Sequence, residues 1–470
     1  MNAPSLPWAV DDPRPIHFMG VGGAGMCALA EAFLRGGSRV TGCDLQPGDS
    51  IRTLERMGAR VHRGHDPGHL EGVGGLVVSS AVPSDHPEIQ AARAAGIPVL
   101  KRAEALGAWV NRGQVVAVAG THGKTTTTAM VTHVLEAAGL EPTGFVGGEV
   151  AGWGGHLHPG GGELFVVEAD EYDRSFLQLR PRFALITNVE ADHLDIYGSA
   201  DGVREGFREF LRGVAPGGTV VACADDPGAG SMLQGTGLTP VSYGFQAGSV
   251  IRGEALESRA DGSRFRVWEV GVDRGHLQVG IPGIHNARNA LGAAALARSM
   301  EVDWDAIRTG LAAFSGVRRR FQTLGEPRGI RIVDDYAHHP TELRAALEAA
   351  RSSFPTRRLV AVFQPHLYSR TRDFAREFGE ALALADRVWV TEIYPAREKP
   401  IDGVDGALVA RSAEEAGAPS VQLHTALESL HRALSRELAP GDVCLFMGAG
   451  SISEVGPRLV EILNTGGPHA

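Results

Sequence analysis

The sequence predicts an α/β protein of three domains built on mostly parallel sheets, and three observations support this. At 470 residues, the chain exceeds what one hydrophobic core usually supports. Short apolar runs alternate with helical stretches along most of its length, which is typical of parallel sheets covered by helices. Changes in this pattern divide the chain into three blocks, and we place their boundaries at 1–111, 112–316 and 317–470.

The composition excludes several classes of protein. A net charge of -10 argues against a nucleic-acid partner, because that binding depends on a basic face. No apolar run reaches the ~20 residues of a membrane span, and the acids and prolines of the first residues do not fit a signal peptide. The four cysteines form no CxxC pair, which indicates reduced thiols of no special role in a cytoplasmic protein. They are Cys27, Cys43, Cys223 and Cys444.

The first block opens with a predicted strand, IHFM, and the glycine-rich turn GVGGAG at 20 to 25. A GxGxxG pattern between a strand and a helix is typical of a Rossmann domain, and Asp44 ends the next strand about 20 residues later. Taken alone, the turn predicts NAD binding. It specifies a pyrophosphate and a ribose, however, so another nucleotide diphosphate fits equally well.

The second block opens with VVAVAGTHGKTTTTAM at 115 to 130, a buried-strand pattern that leads through a glycine loop into a helix. Backbone N–H groups in such a loop bind phosphate, Lys124 adds a flexible point charge, and the Thr125 hydroxyl can ligate Mg²⁺. The spacing departs from GxxxxGK[ST], because the residue five positions before Gly123 is Val118. Lysine occurs only at positions 101, 124 and 399, which makes a chance lysine here improbable. The stretch predicts a phosphate-binding loop.

Two later apolar runs of this block end in possible metal ligands. LFVVEADEYD places Glu168 at the end of one run, and FALITNVEADHLD places His193 after the other. Each alone fits a solvated acidic loop, but beside a phosphate-binding loop they indicate a magnesium site. The glycine-rich GGHLHPGG predicts that His156 and His158 lie in a loop and hold no metal.

Polar clusters follow the apolar runs of the third block, as DDYAHHPTE, FQPHLYSR, EIYPAREKP and GAGS. Ligands of open α/β sheets bind at the carboxyl ends of strands, so we expect these clusters to meet at one crevice. Singly, such motifs have ordinary explanations. HNARNA at 285 to 290 fits a helix cap as well as a nucleotide contact, VRRRF fits a solvated basic run, and His338 and His339 fit a turn before a proline.

Taken together, the motifs resemble those of the Mur ligase family of cell-wall enzymes. The resemblance covers about residues 16 to 452 and is carried, in this order, by GTHGKTTT, EADEYD, NVEADHLD, HNARNA, RRRF, DDYAHHPTE and FQPHLYSR. The opening HFMGVGGAGM is most similar to the branch that adds L-alanine. The resemblance implies a Rossmann-like N-terminal domain for the UDP part of the substrate and a central P-loop ATPase domain. It also implies a C-terminal Rossmann-like α/β domain that closes over ATP and admits the amino acid.

The resemblance further implies roles for the residues at matching positions. The UDP substrate would contact Gly22, Gly23, Ala24, Gly25, Asp44, Ser79, Ser80 and His122. ATP would contact Gly120, Thr121, Gly123, Lys124, Thr125, Thr126, His285, Asn286, Asn289, Arg320 and Asp335. One or two Mg²⁺ ions would bind Thr125, Glu168 and His193. The amino acid would lie beside Tyr336, His338 and Arg370. The catalytic set would be Lys124, His193, His338 and Arg370.

The implied reaction is the ATP-dependent joining of L-alanine to the lactyl carboxylate of UDP-N-acetylmuramate through an acyl phosphate, with release of ADP and phosphate. These two substrates are the expected partners, with no nucleic acid and no membrane, and a weak homodimer is compatible with the sequence. Two features depart from some relatives: the chain has no lysine from 125 to 398 to carry a carbamoyl group, and Leu367 stands where some members have a basic residue.

Three alternatives remain open at this point. A sister ligase attaches a recycled tripeptide to the same UDP-sugar and differs in its amino donor. A NAD-dependent oxidoreductase would explain GVGGAG but leaves GTHGKT unexplained. A non-catalytic nucleotide switch would use the phosphate-binding loop as a sensor and leaves the polar clusters of the third block without a purpose.

Overall fold

The computed structural model describes residues 6–9, 12–46, 48–234, 236–396 and 398–465. These form three sheets, of five, ten and six strands. Contacts group the chain into two compact units. The first comprises Met1–Glu254, Arg266–Leu277 and Arg288–Phe314, and the second comprises Ala255–Phe265, Gln278–Ala287 and Ser315–Ala470. Three sheets with helical connections agree with the predicted fold class, and the domain boundaries drawn from the sequence stay a prediction.

The five-stranded sheet has the strand order β3-β2-β1-β4-β5, and all its pairings are parallel. Its strands are β1 Ile16–Met19, β2 Val40–Asp44, β3 Arg60–Arg63, β4 Gly75–Val78 and β5 Val99–Lys101. Its helices are α1 Ala24–Arg35, α2 Asp49–Arg56, α3 Pro87–Ala94 and α4 Arg102–Val110, with a 3₁₀ helix at Pro67–Leu70. At the end of β1, Gly20 has φ +78, a conformation that favours glycine, and the chain turns there into α1. The Rossmann-like N-terminal fold predicted from GVGGAG is confirmed.

The ten-stranded sheet has the order β15-β14-β13-β12-β11-β10-β6-β9-β7-β8. Its strands are β6 Gln114–Ala119, β7 Thr143–Val150, β8 Gly155–His158, β9 Leu164–Glu168, β10 Phe183–Ile186, β11 Thr219–Cys223, β12 Val241–Gly244, β13 Ile251–Arg259, β14 Gly262–Glu269 and β15 Val272–Val279. The helices are α5 Lys124–Ala137, α6 Leu194–Tyr197, α7 Ala200–Arg212, α8 Pro227–Met232, α9 Ile284–Ser299 and α10 Trp304–Ala313, with a 3₁₀ helix at Tyr172–Gln178. Strand β6 lies between β9 and β10 and is parallel to both.

One local prediction in this block is wrong. His156 and His158 lie on strand β8, which pairs antiparallel with β7, and not in a loop. The pairing uses backbone groups, which the glycines around the histidines do not hinder. His158 also contacts two groups of its surroundings, since its Nδ1 lies 3.0 Å from the Pro142 carbonyl and its Nε2 lies 3.1 Å from Glu136.

The six-stranded sheet has the order β16-β17-β21-β18-β19-β20 and is parallel except at the β16–β17 pair. Its strands are β16 Gln322–Gly325, β17 Arg331–Asp335, β18 Leu359–Phe363, β19 Arg387–Val390, β20 Val421–Leu423 and β21 Val443–Met447. Its helices are α11 Pro340–Ser353, α12 Tyr368–Leu382, α13 Gly406–Glu415, α14 Leu427–Glu437 and α15 Val455–Thr465, with 3₁₀ helices at Pro327–Gly329 and Ser451–Glu454. Parallel pairing brings the carboxyl ends of β17, β21, β18 and β19 to one edge. The polar clusters of the third block therefore share that edge, as predicted.

Apolar packing differs between the two units. One core cluster runs through the first and second blocks, from Trp8 and Phe33 to Phe207 and Met232. The C-terminal sheet has two clusters of its own, which lie within 321–447 and 330–463. Across the described part of the chain, every helix is too short or too polar to traverse a lipid bilayer. All four cysteines are buried free thiols.

Candidate active site

The phosphate-binding loop has the shape that its glycines permit. Gly120 has φ +139 and Gly123 has φ +81, both in the region that favours glycine. A Cβ at Gly120 would lie 1.9 Å from Thr187 Oγ1, and one at Gly123 would lie 2.7 Å from Asn289 Oδ1. Gly123 is the N-cap of α5, so the loop ends at a helix N-terminus, where backbone N–H groups favour anions.

The Lys124 ammonium lies inside this loop. Its Nζ donates to the carbonyls of Gly120 at 2.7 Å and Thr121 at 3.0 Å, and it lies 2.8 Å from Glu171 Oε2. Only 12% of the lysine side chain and 2% of the glutamate side chain are exposed. Burial would lower the pKa of Lys124, but the carboxylates of Glu171 and Asp170 outweigh burial and raise that pKa. Lys124 is therefore an ammonium throughout the physiological pH range.

Thr125 and Glu168, which the sequence predicts as magnesium ligands, contact each other. The Thr125 hydroxyl donates to Glu168 Oε1 at 2.7 Å, and the Gly147 N–H donates to Glu168 Oε2 at 2.5 Å. Strand β9 ends at Glu168 beside β6, and the loop after β6 leads into α5, whose second residue is Thr125, so parallel pairing accounts for the contact. A hydroxyl and a carboxylate are hard oxygen donors, and they fit Mg²⁺.

His193 lies near the carboxylates of Glu171 and Asp192. Its Nε2 is 3.8 Å from Glu171 Oε1 and 3.9 Å from Asp192 Oδ2, and its backbone has φ +52. Its ring makes an edge-to-face contact with Tyr172 at 5.2 Å. The structure therefore brings His193, Glu171 and Lys124 together beside the phosphate-binding loop.

The loop after β10 fastens the phosphate-binding loop from the other side. The Asn188 side chain accepts from the His122 N–H at 2.8 Å and donates to the His122 carbonyl at 3.0 Å, while Thr187 Oγ1 donates to that carbonyl at 2.7 Å. The Glu190 N–H donates to Thr121 Oγ1 at 2.9 Å. His122 Nε2 lies 3.5 Å from Glu190 Oε2. These contacts fix Thr121 and His122 in place.

The Rossmann turn of the N-terminal sheet is held by Asp44. The Asp44 carboxylate accepts from the Gly22 N–H at 2.9 Å and from the Gln46 N–H at 3.1 Å. A Cβ at Gly25 would lie 3.0 Å from an Arg102 guanidinium nitrogen, so a basic side chain lies beside the start of α1. Ser79 and Ser80 follow β4, the neighbour of β1, which places them at the same edge of the sheet as GVGGAG.

In the second unit, Asp335 ends β17 in a buried position. Its carboxylate accepts from the N–H groups of Phe321 at 2.7 Å and Ala337 at 2.8 Å. Burial raises the pKa of Asp335 to about 6, and the Arg320 charge and the two N–H donors oppose that rise. The Arg320 guanidinium lies over the Tyr336 ring at 5.0 Å and 3.7 Å from Glu342.

The structure places a further histidine, His366, among the residues that are predicted to bind the amino acid. The sequence did not single out this histidine. The His338 ring lies 5.3 Å from the Tyr336 ring and 5.8 Å from the His366 ring. Burial, together with the charges of His338 and Arg370, lowers the pKa of His366 to about 4, so this imidazole is neutral at physiological pH. Arg370 lies buried in the first turn of α12.

The helix that carries HNARNA contributes to both units. His285 and Asn286 belong to the second unit, and Asn289 belongs to the first. The Asn286 side chain is buried and donates to the Pro282 carbonyl at 2.8 Å. A helix cap accepts from backbone N–H groups, whereas this amide donates to a carbonyl from inside α9, so the bond is not the cap considered from the sequence. Asn289 Oδ1 lies near Gly123 of the phosphate-binding loop.

Comparison with known proteins decides the family. Three family models match in order: "Mur ligase family, catalytic domain" over residues 15–114, "Mur ligase middle domain" over 118–297, and "Mur ligase, glutamate ligase domain" over 319–450. The chain is also 42% identical over 458 residues to a protein of Salinibacter ruber named UDP-N-acetylmuramate--L-alanine ligase, covering 97% of this chain and 96% of the relative. The chain belongs to the Mur ligase family.

Other relatives and solved structures agree with this membership. A UDP-N-acetylmuramate--L-alanine ligase of Arthrobacter sp. is 45% identical over 453 residues, covering 95% of each chain. The structure of the UDP-N-acetylmuramate-alanine ligase MurC from Thermotoga maritima matches with a TM-score of 0.82 and 31% identity, over 96% of this chain and 99% of that chain. A murein peptide ligase from Psychrobacter arcticus matches with a TM-score of 0.70 and 25% identity, over the same shares. As in these Mur ligases, three α/β domains follow one another, which confirms the predicted architecture.

Sequence reasoning missed several residues of this Mur ligase site. Glu171 is one of four acids in EADEYD, and nothing in that run indicates which carboxylate turns inward to Lys124. Thr187 precedes the NVEADHLD motif and Asn188 is its first residue, but neither has a charge or metal-binding chemistry to draw attention to it. His366 stands inside the quoted FQPHLYSR, where a histidine two residues before the helix was a usable signal.

Proposed function

We propose that this chain joins L-alanine to the lactyl carboxylate of UDP-N-acetylmuramate at the expense of ATP. The observation that carries the proposal is the 42% identity over nearly the whole chain to a relative with that name, combined with a phosphate-binding loop of matching chemistry. Family membership also removes the support for a nicotinamide-dependent oxidoreductase and for a non-catalytic switch, since members of the family are amide-forming ligases that use ATP.

The site chemistry supports the proposed first step. The substrate carboxylate would attack the γ-phosphorus of ATP, so that a carboxyl–phosphate bond forms, the bond to ADP breaks, and ADP leaves. Two anions approach each other in this step, so it needs fixed positive charge. Lys124 supplies an ammonium, and the N-terminus of α5 supplies backbone N–H groups.

The same residues fit a magnesium ion. Thr125, Glu168 and His193 would hold Mg²⁺, and the ion when bound would neutralise charge on the phosphates. Thr125 contacts Glu168, and His193 lies 3.8 Å from Glu171, the partner of Lys124. The number of ions, one or two, stays part of the proposal.

The second step would form the amide bond. The L-alanine amine attacks the acyl carbon, loses a proton, and expels phosphate. Arg370 is buried in the cluster with His338 and His366 and would bind the alanine carboxylate. His338 would orient the amine, because its Nδ1 is fixed by the Tyr336 carbonyl at 3.0 Å and by Glu342 at 3.2 Å.

Further assignments belong to the same proposal. Gly22, Gly23, Ala24 and Gly25 would hold the UDP diphosphate at the start of α1, and Asp44 would hold their turn. Residues 1–111, 112–316 and 317–470 would be the three domains. The protein would act in the cytoplasm, where its substrates are made, and would form at most a weak homodimer.

The deciding experiment is phosphate release from ATP with UDP-N-acetylmuramate and L-alanine, a tripeptide, or no amino donor. Release that depends on L-alanine, with an amide product of the expected mass, supports the proposal. Release with the tripeptide alone favours the recycling ligase. The structural similarity to a murein peptide ligase is the observation that supports this alternative. Release that is indifferent to all donors contradicts both.

A further inference from the structure

A compact group of metal-binding side chains lies in the N-terminal sheet, away from the phosphate-binding loop. His17 on β1, Cys43 on β2, His69 in the 3₁₀ helix Pro67–Leu70 and Glu88 on α3 each offer one ligand atom, and these atoms all lie within 4.8 Å of one another. His17, Cys43 and Glu88 are fully buried. None of the substrate or cofactor assignments above uses them.

We propose that His17, Cys43, His69 and Glu88 bind a structural Zn²⁺ ion that ties two strands of the N-terminal sheet to the 3₁₀ helix and α3. The donor set combines two imidazoles, a thiolate and a carboxylate. Zinc accepts all three ligand types in a tetrahedral arrangement, whereas Mg²⁺ requires oxygen donors. Four protein ligands leave no open position, which is typical of a structural rather than a catalytic site.

The distances within the group match tetrahedral geometry. Zinc bonds of ordinary length place neighbouring ligand atoms about 3.3 to 3.6 Å apart. His17 Nε2 lies 3.3 Å from Cys43 Sγ and 3.2 Å from Glu88 Oε1. His69 Nδ1 lies 3.5 Å from Glu88 Oε1, and Cys43 Sγ lies 3.7 Å from the same oxygen. An ion at the centre needs only small side-chain movements.

Surrounding groups orient the ligands as metal sites require. Thr41 Oγ1 lies 2.9 Å from His17 Nδ1, the ring nitrogen that would carry the proton when Nε2 binds metal. His65 Nδ1 lies 3.0 Å from Cys43 Sγ, where it can donate to a thiolate. The His62 ring stacks on the His69 ring at 4.4 Å and sets its orientation.

Charge also favours a cation at this position. Glu88 is fully buried, and a buried carboxylate needs a positive partner. The competing explanation is a hydrogen-bonded network in which a protonated histidine supplies that charge. The two differ in whether Cys43 is bound to metal, and this difference can be measured directly.

The test uses the full chain with reduced thiols, stripped of metal with a chelator and then titrated with Co²⁺. We expect one thiolate-bound Co²⁺ per chain, with the visible absorption of a tetrahedral site and a near-ultraviolet thiolate-to-metal band, both displaced by Zn²⁺. Ions at the phosphate-binding loop give no thiolate band, because Thr125, Glu168 and His193 contain no sulfur. Zn²⁺ should also raise the thermal unfolding midpoint by several degrees.

Variants locate the ion. Cys43→Ser should remove the thiolate band, and His69→Gln, at a position nearer the surface, should weaken Co²⁺ binding at least tenfold without opening the core. Cys27→Ser is the matched control, since Cys27 is a buried thiol of the same domain that donates to the Ser50 carbonyl, and it should leave the band intact. No thiolate band in the wild-type protein, or a band that survives Cys43→Ser, would overturn the proposal in favour of the hydrogen-bonded network.

Discussion

The Lys124 ammonium is enclosed by two loop carbonyls and the Glu171 carboxylate, and the space between these acceptors fits a compact cation. Its three hydrogens fit three acceptors. The planar guanidinium of arginine is longer and presents its donors in a fixed fork, so it does not fit the same space. This enclosure explains why a chain with only three lysines has one at this position.

We therefore predict that Lys124→Arg lowers kcat of the ATP-dependent reaction by about 100-fold or more, although charge is conserved. The matched control is Lys101→Arg. Lys101 is 57% exposed and pairs with Asp173 on the surface, so this variant should keep wild-type turnover. Near wild-type kcat for Lys124→Arg in a phosphate-release assay would refute the special role of lysine.

The buried Asp335 predicts a pH-dependent stability. Its folded pKa of about 6 is above the model-peptide value of 3.8, so the folded state holds the proton more tightly than the unfolded state. The resulting stabilisation is present below about pH 4 and is lost as the pH rises through 6. Between pH 5 and pH 7 the loss is about 1 kcal/mol.

Asp335→Asn should remove this dependence, because an amide does not ionise. Hydrogen exchange of the amides in β17 and β21 at pH 5 and pH 7, corrected for intrinsic exchange rates, measures the effect. Between pH 5 and pH 7, the wild-type protein should lose protection relative to the Asp335→Asn variant. An unchanged difference would show that Asp335 ionises as it does in the unfolded chain.

Sequence patterns predicted residues that lie in a recognisable motif or at the end of a strand. They missed residues whose contacts depend on which way the side chain points. Lys124, Thr125 and Glu168 lie at or just after the ends of apolar runs, and these positions predicted that they lie close together; the runs form parallel strands that pair. Glu171 is the N-cap of a 3₁₀ helix that contains left-handed backbone at Asp173 and Arg174. No periodicity in the sequence indicates that the Glu171 side chain points to Lys124. The roles of these residues in catalysis stay predictions.

At the scale of elements, the phosphate-binding loop depends on backbone shape as much as on charge. Gly120→Ala should disrupt it, since the Cβ would lie 1.9 Å from Thr187 Oγ1 in addition to backbone strain at φ +139. We expect at least a 100-fold loss of kcat/KM for ATP, because the Gly120 carbonyl also holds Lys124.

Gly139→Ala separates strain from crowding. Gly139 has φ +74 just after α5, and a Cβ there meets nothing within 4 Å. This variant should lose about 1 to 2 kcal/mol of stability from backbone strain and keep its KM for ATP. Equal effects of the two substitutions on steady-state kinetics would mean that contact with Thr187 is unimportant.

Elements with strong periodicity were predicted well, and those set by tertiary pairing were not. The strand β6 and the helix α5 show their character in VVAVAG and the residues after it. Strand β8 does not show its character in the sequence, because the four residues between its glycines carry little pattern. Its pairing with β7 is what makes it a strand. The His17–Glu88 group is a similar case, since β1 and α3 are far apart in sequence and only the sheet brings them together.

At the scale of the whole molecule, the core clusters predict which parts fold alone. Both faces of the six-stranded sheet are covered by apolar clusters from within 321–463. The N-terminal sheet instead shares a cluster with the central block, and Asn111 bonds to the Gln178 carbonyl across the predicted boundary.

A fragment of residues 315–465 should therefore fold on its own. We expect a cooperative thermal transition by circular dichroism, dispersed amide NMR signals, and no phosphate release, because Lys124 lies in the other unit. A fragment of residues 1–111 is the comparison and should be less stable, since it exposes the surface of Trp109 and Phe33 that the shared cluster covers. A molten 315–465 fragment beside a stable 1–111 fragment would contradict this division.

The Lys124–Glu171 pair also bears on how strongly the loop binds a nucleotide. A buried ammonium needs an anionic partner, and Glu171 supplies one 2.8 Å from Lys124 Nζ, in the loop where the phosphates are proposed to bind. Nucleotide binding is then an exchange of counter-ions at a preformed loop. The contribution of Lys124 to affinity is the difference between its interaction energy with the phosphate and its interaction energy with Glu171. Because His193 Nε2 lies 3.8 Å from Glu171, the same carboxylate borders both Lys124 and a residue proposed to bind the metal.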